Sequence, residues 1–229
     1  LYSFENLPKE IDIAIVSTNA DVRPKVIKQI LENCEVQYWI LEKFLAQSEK
    51  LLDEVSSLTN CSLGVWVNTS RRMMTWQKQI HNTIPKNVSL NVRASGNQWG
   101  MACNGIHYVD LVSWWTGKKL IKIDNSELDP QWIEAKREGF FEITGKLKAV
   151  FSGGSTLSME SRLNGPPFNI EIEAQGEIWK IDETFVDEQD TANFDQKMCF
   201  SKGILVSFRA GFAGPKKNRV FRVSRFQKI

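Results

Sequence analysis

Between residues 10 and 68 three short apolar runs alternate with two amphipathic stretches, and this order restricts the fold more than any other feature of the chain. Residues 11–16 are mostly apolar and rich in isoleucine, as suits a strand buried in a parallel sheet. Ser17, Thr18, Asn19, Ala20 and Asp21 make a polar turn, and Pro24 fits the first turn of a helix. In residues 23–33, Val26, Ile27, Ile30 and Leu31 recur at helical spacing. Residues 36–41 form a second strand, which runs into Glu42 and Lys43. Ser48 can cap a helix carrying Leu51, Leu52, Val55 and Leu58, and residues 62–68 make a third strand. A β-α-β-α-β series of this kind predicts a parallel sheet.

The pattern changes beyond residue 68. A helix is expected near residues 72–81, a strand at 88–94, and a helix at 104–115 stopped by Gly117. From Lys119 onward, runs at 120–123, 140–150, 155–160, 168–174 and 177–181 alternate with period two between short turns. This predicts a mainly antiparallel sheet backed by helices. The expected fold class is therefore α/β plus α+β. Residues 1–68 are expected to form the parallel α/β piece, residues 69–195 an α+β domain, and residues 196–229 a basic tail.

Composition narrows the function. The chain has 229 residues with 42% hydrophobic and 24% charged side chains, which excludes disorder. It holds no run of about 18 apolar residues, so no transmembrane helix is expected, and no basic-then-apolar opening points to a secretory signal. Cys34, Cys61, Cys103 and Cys199 are scattered without a CxxC pair, which predicts reduced thiols in a cytoplasmic protein and no zinc site. The net charge of +2 conceals an asymmetry. No acidic residue follows Asp195, where nine basic residues lie, whereas residues 1–195 carry 20 basic and 27 acidic ones. The tail reads either as an arm for nucleic acid or an anionic membrane, with Phe208, Phe212, Phe221 and Phe226 interleaved for stacking, or as a non-native end. The body of the chain calls for neither partner.

Two groups of residues can carry chemistry. Ligands of a parallel α/β sheet bind at the carboxyl ends of its strands, where Ser17–Asn19 and Glu42–Lys43 fall. A lysine there can polarise a hydroxyl or carbonyl, and it can equally be an ordinary surface residue. Cys103 and His107 are four residues apart and share a helix face, with Asp110 three beyond to orient the ring and Gly105 small enough to admit a substrate. A helical i, i+4 thiol–imidazole pair rarely reaches attack geometry, so proton transfer by His107 is preferred over a nucleophilic Cys103. His81 is expected in a polar loop without function. Arg71 and Arg72 follow a strand end and can bind phosphate or carboxylate, and Trp99, between Gly96 and Gly100, can line a pocket.

Taken in order, these segments resemble the glucose–fructose oxidoreductase / inositol dehydrogenase (Gfo/Idh/MocA) family. That family shows a strand ending in A-T-x-N, a strand ending in E-K-P, an N-R-R segment, and later D-x-G-x-H-x-x-D. Here they stand as Ser17-Thr18-Asn19, Glu42-Lys43-Phe44, Asn68-Thr69-Ser70-Arg71-Arg72, and Cys103-Asn104-Gly105-Ile106-His107-Tyr108-Val109-Asp110, over about residues 10–190. The resemblance implies an NAD- or NADP-dependent oxidoreductase of a sugar, polyol or sugar-nucleotide, in a setting of surface polysaccharide synthesis. It implies Lys43 and His107 as the catalytic pair, and Ser17, Thr18, Asn19, Glu42, Lys43 and Arg72 at the cofactor. It places Trp99, Cys103, Asn104 and His107 at the substrate. It implies that residues 1–68 are part of a Rossmann-type nucleotide-binding domain and residues 69–195 a domain for substrate and oligomerisation, and it implies a homo-oligomer formed through the antiparallel sheet.

Three departures qualify it. The opening strand and G-x-G-x-x-G turn of the family, which hold the pyrophosphate, are absent, so the chain is expected to be truncated or frame-shifted. Cys103 stands where the family has Asp, and Phe44 where it has Pro. The acid-free end does not resemble the usual acidic, helical close. The competing reading is a non-catalytic binding or assembly protein that has lost the cofactor site.

Overall fold

In the computed structural model the chain forms two compact units, Leu1–Met73 and Met74–Ile229. The structure describes residues 4–135 and 138–186, and beyond these the strands Gln196–Phe200, Ile204–Phe208 and Val220–Lys228. No helix among the described residues is long and apolar enough to cross a membrane.

The first unit opens with a short 3-10 turn, Phe4–Asn6, followed by β1 (Glu10–Val16), α1 (Arg23–Leu31), β2 (Glu35–Glu42), α2 (Glu49–Thr59) and β3 (Gly64–Asn68). The strands pair in the order β1-β2-β3, all parallel, as the alternation of elements requires. Pro24 sits in the first turn of α1, where its missing N–H leaves no bond unmade. Ser48 caps α2 by accepting a hydrogen bond from the Leu51 amide at 3.3 Å. Ala14, Val16, Trp39 and Leu41 line the sheet face that meets Ile27 and Ile30 of α1 and Val55 of α2. Trp39 is fully buried, and its Nε1 donates to Ser62 Oγ at 2.8 Å, as a buried indole N–H requires.

The second unit begins with α3 (Thr75–Thr83), β4 (Asn91–Asn97) and α4 (Met101–Thr116). Next come β5 (Leu120–Leu128), the short pair β6 (Ile133–Glu134) and β7 (Phe141–Glu142), then β8 (Gly145–Phe151), β9 (Thr156–Arg162), β10 (Asn169–Ala174) and β11 (Glu177–Val186). Strands β12 (Gln196–Phe200) and β13 (Ile204–Phe208) pair antiparallel, and β14 (Val220–Lys228) pairs with β11. The main sheet has the order β14-β11-β10-β4-β9-β8-β5. Alternate residues of β4, β9 and β10, among them Val92, Leu157 and Ile172, are buried with Tyr108, Leu111 and Trp115 of α4. The opposite residues are polar and charge-paired, as in Lys180–Glu171 at 2.8 Å and Lys148 with Glu127.

The expected fold class is observed, with differences of detail. The sheet is mixed, because β4 and β9 run parallel. Period-two alternation is the same for both strand directions, so the sequence pattern could not reveal this. The expected strand at 140–150 is divided into β7 and β8, and α4 begins at Met101, so it includes Cys103. The helix expected near residues 72–81 is a 3-10 turn, Ser70–Met73, followed by α3. His81 lies on α3, not in a loop, with its ring stacked on Trp114 at 4.3 Å. The nucleic-acid and membrane readings of the basic segment concern side chains that lie outside the described residues.

Candidate active site

Parallel pairing brings the three strand ends of the first unit to one edge. Val16 is level with Leu41, Leu41 with Val67, and Glu42 with Asn68. The segments Ser17–Asn19, Glu42–Lys43 and Asn68–Arg72 therefore leave the sheet side by side. Glu42 Oε2 accepts a hydrogen bond from Asn68 Nδ2 at 2.9 Å. Ser17 and Asn19 are exposed, while Glu42, Lys43, Arg71 and Arg72 are half-buried. The Lys43 Nζ lies 5.8 Å from the centre of the Phe44 ring, and the Lys43–Phe44 peptide bond is cis. Thr18 Oγ1 is buried without a hydrogen-bond partner.

The loops are held by a residue that the sequence reading passed over. Arg23, the first residue of α1, is fully buried. Its Nη1 donates to the Phe44 carbonyl and, at 2.9 Å, to the Leu45 carbonyl, while its Nη2 donates to the Thr18 carbonyl. Burial lowers the pKa of this guanidinium, and the charges of Glu42 and Asp21 oppose that shift. One signal was available: a cation in the first turn of a helix opposes the helix dipole, so it needs another reason to be there.

In the second unit, Cys103, Asn104 and His107 occupy the first two turns of α4. Cys103 is exposed, and His107, one turn on, is only 8% exposed. Asn104 Nδ2 donates to the Trp99 carbonyl at 3.0 Å. Trp99 donates through Nε1 to the Glu160 carbonyl at 2.8 Å and packs edge-on to Tyr108 and against Phe168. Gly105 faces the sheet, where a Cβ would lie in ordinary contact with Met159 Sδ at 3.4 Å. Glu142 is a second residue absent from the sequence reading. Its Oε2 accepts from the Ala102 amide at 2.9 Å at the start of α4, a helix without a capping side chain of its own. Among the described residues no group of three or more His, Cys, Asp or Glu could hold a metal ion.

Neither a family model nor a curated protein matches the chain. Solved structures do resemble it. Myo-inositol dehydrogenase from Lactobacillus casei, in complex with NAD(H) and myo-inositol, has a TM-score of 0.55 at 14% identity over 93% of this chain. UDP-N-acetylglucosamine 3-dehydrogenase GnnA from Acidithiobacillus ferrooxidans has a TM-score of 0.56 at 11% identity over 75%.

The fold is that of the Gfo/Idh/MocA-type oxidoreductases.

The transcriptional regulator Gal80p from Kluyveromyces lactis also has it, with a TM-score of 0.59 at 20% identity over 79% of this chain. The chain spans 60%, 57% and 56% of the lengths of these three proteins, less than two thirds in each case. Within this fold, Ser17, Thr18, Asn19, Glu42, Lys43 and Arg72 belong to the first unit, and Trp99, Cys103, Asn104 and His107 to the second.

The first unit fits one end of a nicotinamide dinucleotide better than the other. A buried, unbonded Thr18 hydroxyl, the Glu42 carboxylate and the Lys43 ammonium, all at strand carboxyl ends, suit the ribose and nicotinamide end. The pyrophosphate end has no glycine-rich turn in residues 1–73, where Gly64 is the sole glycine. A Cβ at Gly64 would meet the Trp66 ring at 2.7 Å, so this glycine makes room for a side chain and not for phosphate.

Proposed function

We propose that the chain is an NAD(P)-dependent oxidoreductase acting on a hydroxyl or carbonyl of a sugar, polyol or sugar-nucleotide. The observation that carries this reading is the alignment of Thr18, Glu42 and Lys43 at the carboxyl edge of a parallel sheet, in a fold that solved dehydrogenases share. The bound nicotinamide supplies a hydride acceptor or donor. Lys43 hydrogen-bonds the reacting oxygen and stabilises negative charge there, and His107 takes the hydroxyl proton during oxidation or returns it during reduction. Thr18 and Glu42 receive ribose hydroxyls, Ser17 and Asn19 line the same edge, and Arg72 meets a phosphate or carboxylate. Trp99, Cys103 and Asn104 border the substrate around His107.

The protein works in the cytoplasm, where thiols stay reduced, and the setting is surface polysaccharide synthesis. It associates with itself through the polar face of the main sheet. The ion pairs on that face make the association sensitive to salt.

The test is titration of the full chain with NADH and NADPH, followed through the emission of its eight tryptophans. It continues with nicotinamide-linked oxidation of polyols, sugars and nucleoside-diphosphate sugars. Saturable binding and turnover support the reading. The absence of binding for both cofactors at millimolar concentration overturns it in favour of a non-catalytic binding or assembly protein.

A further inference from the structure

Arg23 joins two loops that the sheet alone does not connect. Strand pairing aligns the ends of β1 and β2, and the chain then leaves through residues 17–22 and 43–48, both outside the ladder. The acceptors of Arg23 are one carbonyl of the first loop, Thr18, and two of the second, Phe44 and Leu45. All three are main-chain groups, so the contact fixes backbone and not a side-chain rotamer. A guanidinium suits this task, because its two terminal nitrogens diverge at a fixed angle and each carries two donors. Burying a cation is costly without nearby negative charge, and Glu42 and Asp21 provide it. Lys43 lies between Glu42 and the gripped Phe44.

We propose that Arg23 is a positioning residue for Lys43: by clamping the Phe44 and Leu45 carbonyls to the Thr18 turn, it fixes the backbone from which the Lys43 ammonium projects. The importance of this for turnover rests on the reading of Lys43 as a group that touches substrate. The clamp itself does not depend on that reading.

The experiment uses the full chain and the variants R23M and R23K. Amide hydrogen exchange is measured across residues 10–68, and the rate of reductive methylation at Lys43 is followed by peptide mass spectrometry against Lys28 and Lys50. In R23M, exchange in 17–22 and 43–47 should rise about tenfold, the scale expected when bonds to a charged donor are lost, while β2 and α2 keep their protection. The methylation rate of Lys43 should change relative to Lys28 and Lys50. R23K retains the buried cation but has one nitrogen and reaches one loop, so the exposure of the other should rise. Loop exchange and Lys43 labelling at wild-type levels in folded R23M overturn the proposal, as does a uniform rise across the whole unit, which would mark a purely structural role. Should R23M fail to fold, the same readouts on R23K decide. If turnover is found, R23M should lower kcat and shift its pH profile more than it raises KM. A loosened loop without any cofactor binding would refute the oxidoreductase reading and leave the clamp standing.

Discussion

Asn68 Nδ2 donates a 2.9 Å hydrogen bond to Glu42 Oε2, joining the last residues of two adjacent parallel strands. The bond orients a carboxylate at the edge where ligands of such sheets bind. If Glu42 receives ribose hydroxyls, N68A should weaken NADH or NADPH binding by about five- to tenfold, the effect of a bond worth about 1 kcal/mol. Because the pair is exposed, the stability of the fold should change by less than about 1 kcal/mol. Tryptophan emission titration and urea denaturation measure the two effects. Unchanged affinity would separate Glu42 from the cofactor.

Lys43 and His107 carry the proposed proton chemistry. Replacement of either, as K43M or H107Q, should lower turnover by about 10²–10⁴. Steady-state rates with the best polyol or sugar substrate provide the check, and wild-type rates in one variant would remove that residue from the mechanism.

Gly96 in β4 meets Phe168, the residue that leads into β10, too closely for any side chain. A Cβ there would lie 2.5 Å from Phe168 Cα and 2.8 Å from its amide nitrogen, both backbone atoms with little freedom to yield. G96A should therefore destabilise the chain by about 1–3 kcal/mol. G165A is the control, since a Cβ at Gly165 meets nothing nearer than the Arg162 side chain at 3.8 Å. It should stay within about 1 kcal/mol of wild type. Urea midpoints compare the two, and equal values would show that β10 can shift.

His81 is held below its ordinary pKa, first by burial and then by Lys86, whose ammonium also donates to the His81 carbonyl at 2.9 Å. A lowered folded pKa favours the neutral ring in the fold, so its stabilisation is complete above the unfolded value of about 6.5 and is lost as the pH falls through the folded value. H81F keeps an aromatic ring against Trp114 but cannot titrate. Going from about pH 8 to about pH 5, wild type should lose more stability than H81F. Parallel stability curves across that range would show that His81 does not feel its surroundings in this way.

The alternation of apolar runs with amphipathic stretches was enough to recognise the parallel unit, because strands and helices leave different periods in the sequence, although the face carrying Ile13, Ile15 and Trp66 is exposed and not buried as the apolar runs suggested. Ser48 and Gly117 marked their helix ends for equally local reasons, a side-chain cap and a left-handed residue with φ of 68°. The strand-end segments of the candidate site were legible on the same grounds, since a turn after a buried strand must lie at the sheet edge. Arg23 and Glu142 were not. The acceptors of Arg23 lie up to 22 residues away, and Glu142 caps a helix 40 residues before it. No periodicity encodes such meetings, which follow from which loops the folded sheet sets side by side. The sequence by itself determined that a β-α-β-α-β unit precedes a helix-backed sheet, because propensity, capping and the spacing of apolar residues are properties of neighbours along the chain. Only the tertiary structure decided that β4 and β9 run parallel, that Asn68 meets Glu42, and that Arg23 grips the loop carrying Lys43, because those bonds form between groups distant in sequence whose apposition packing alone creates.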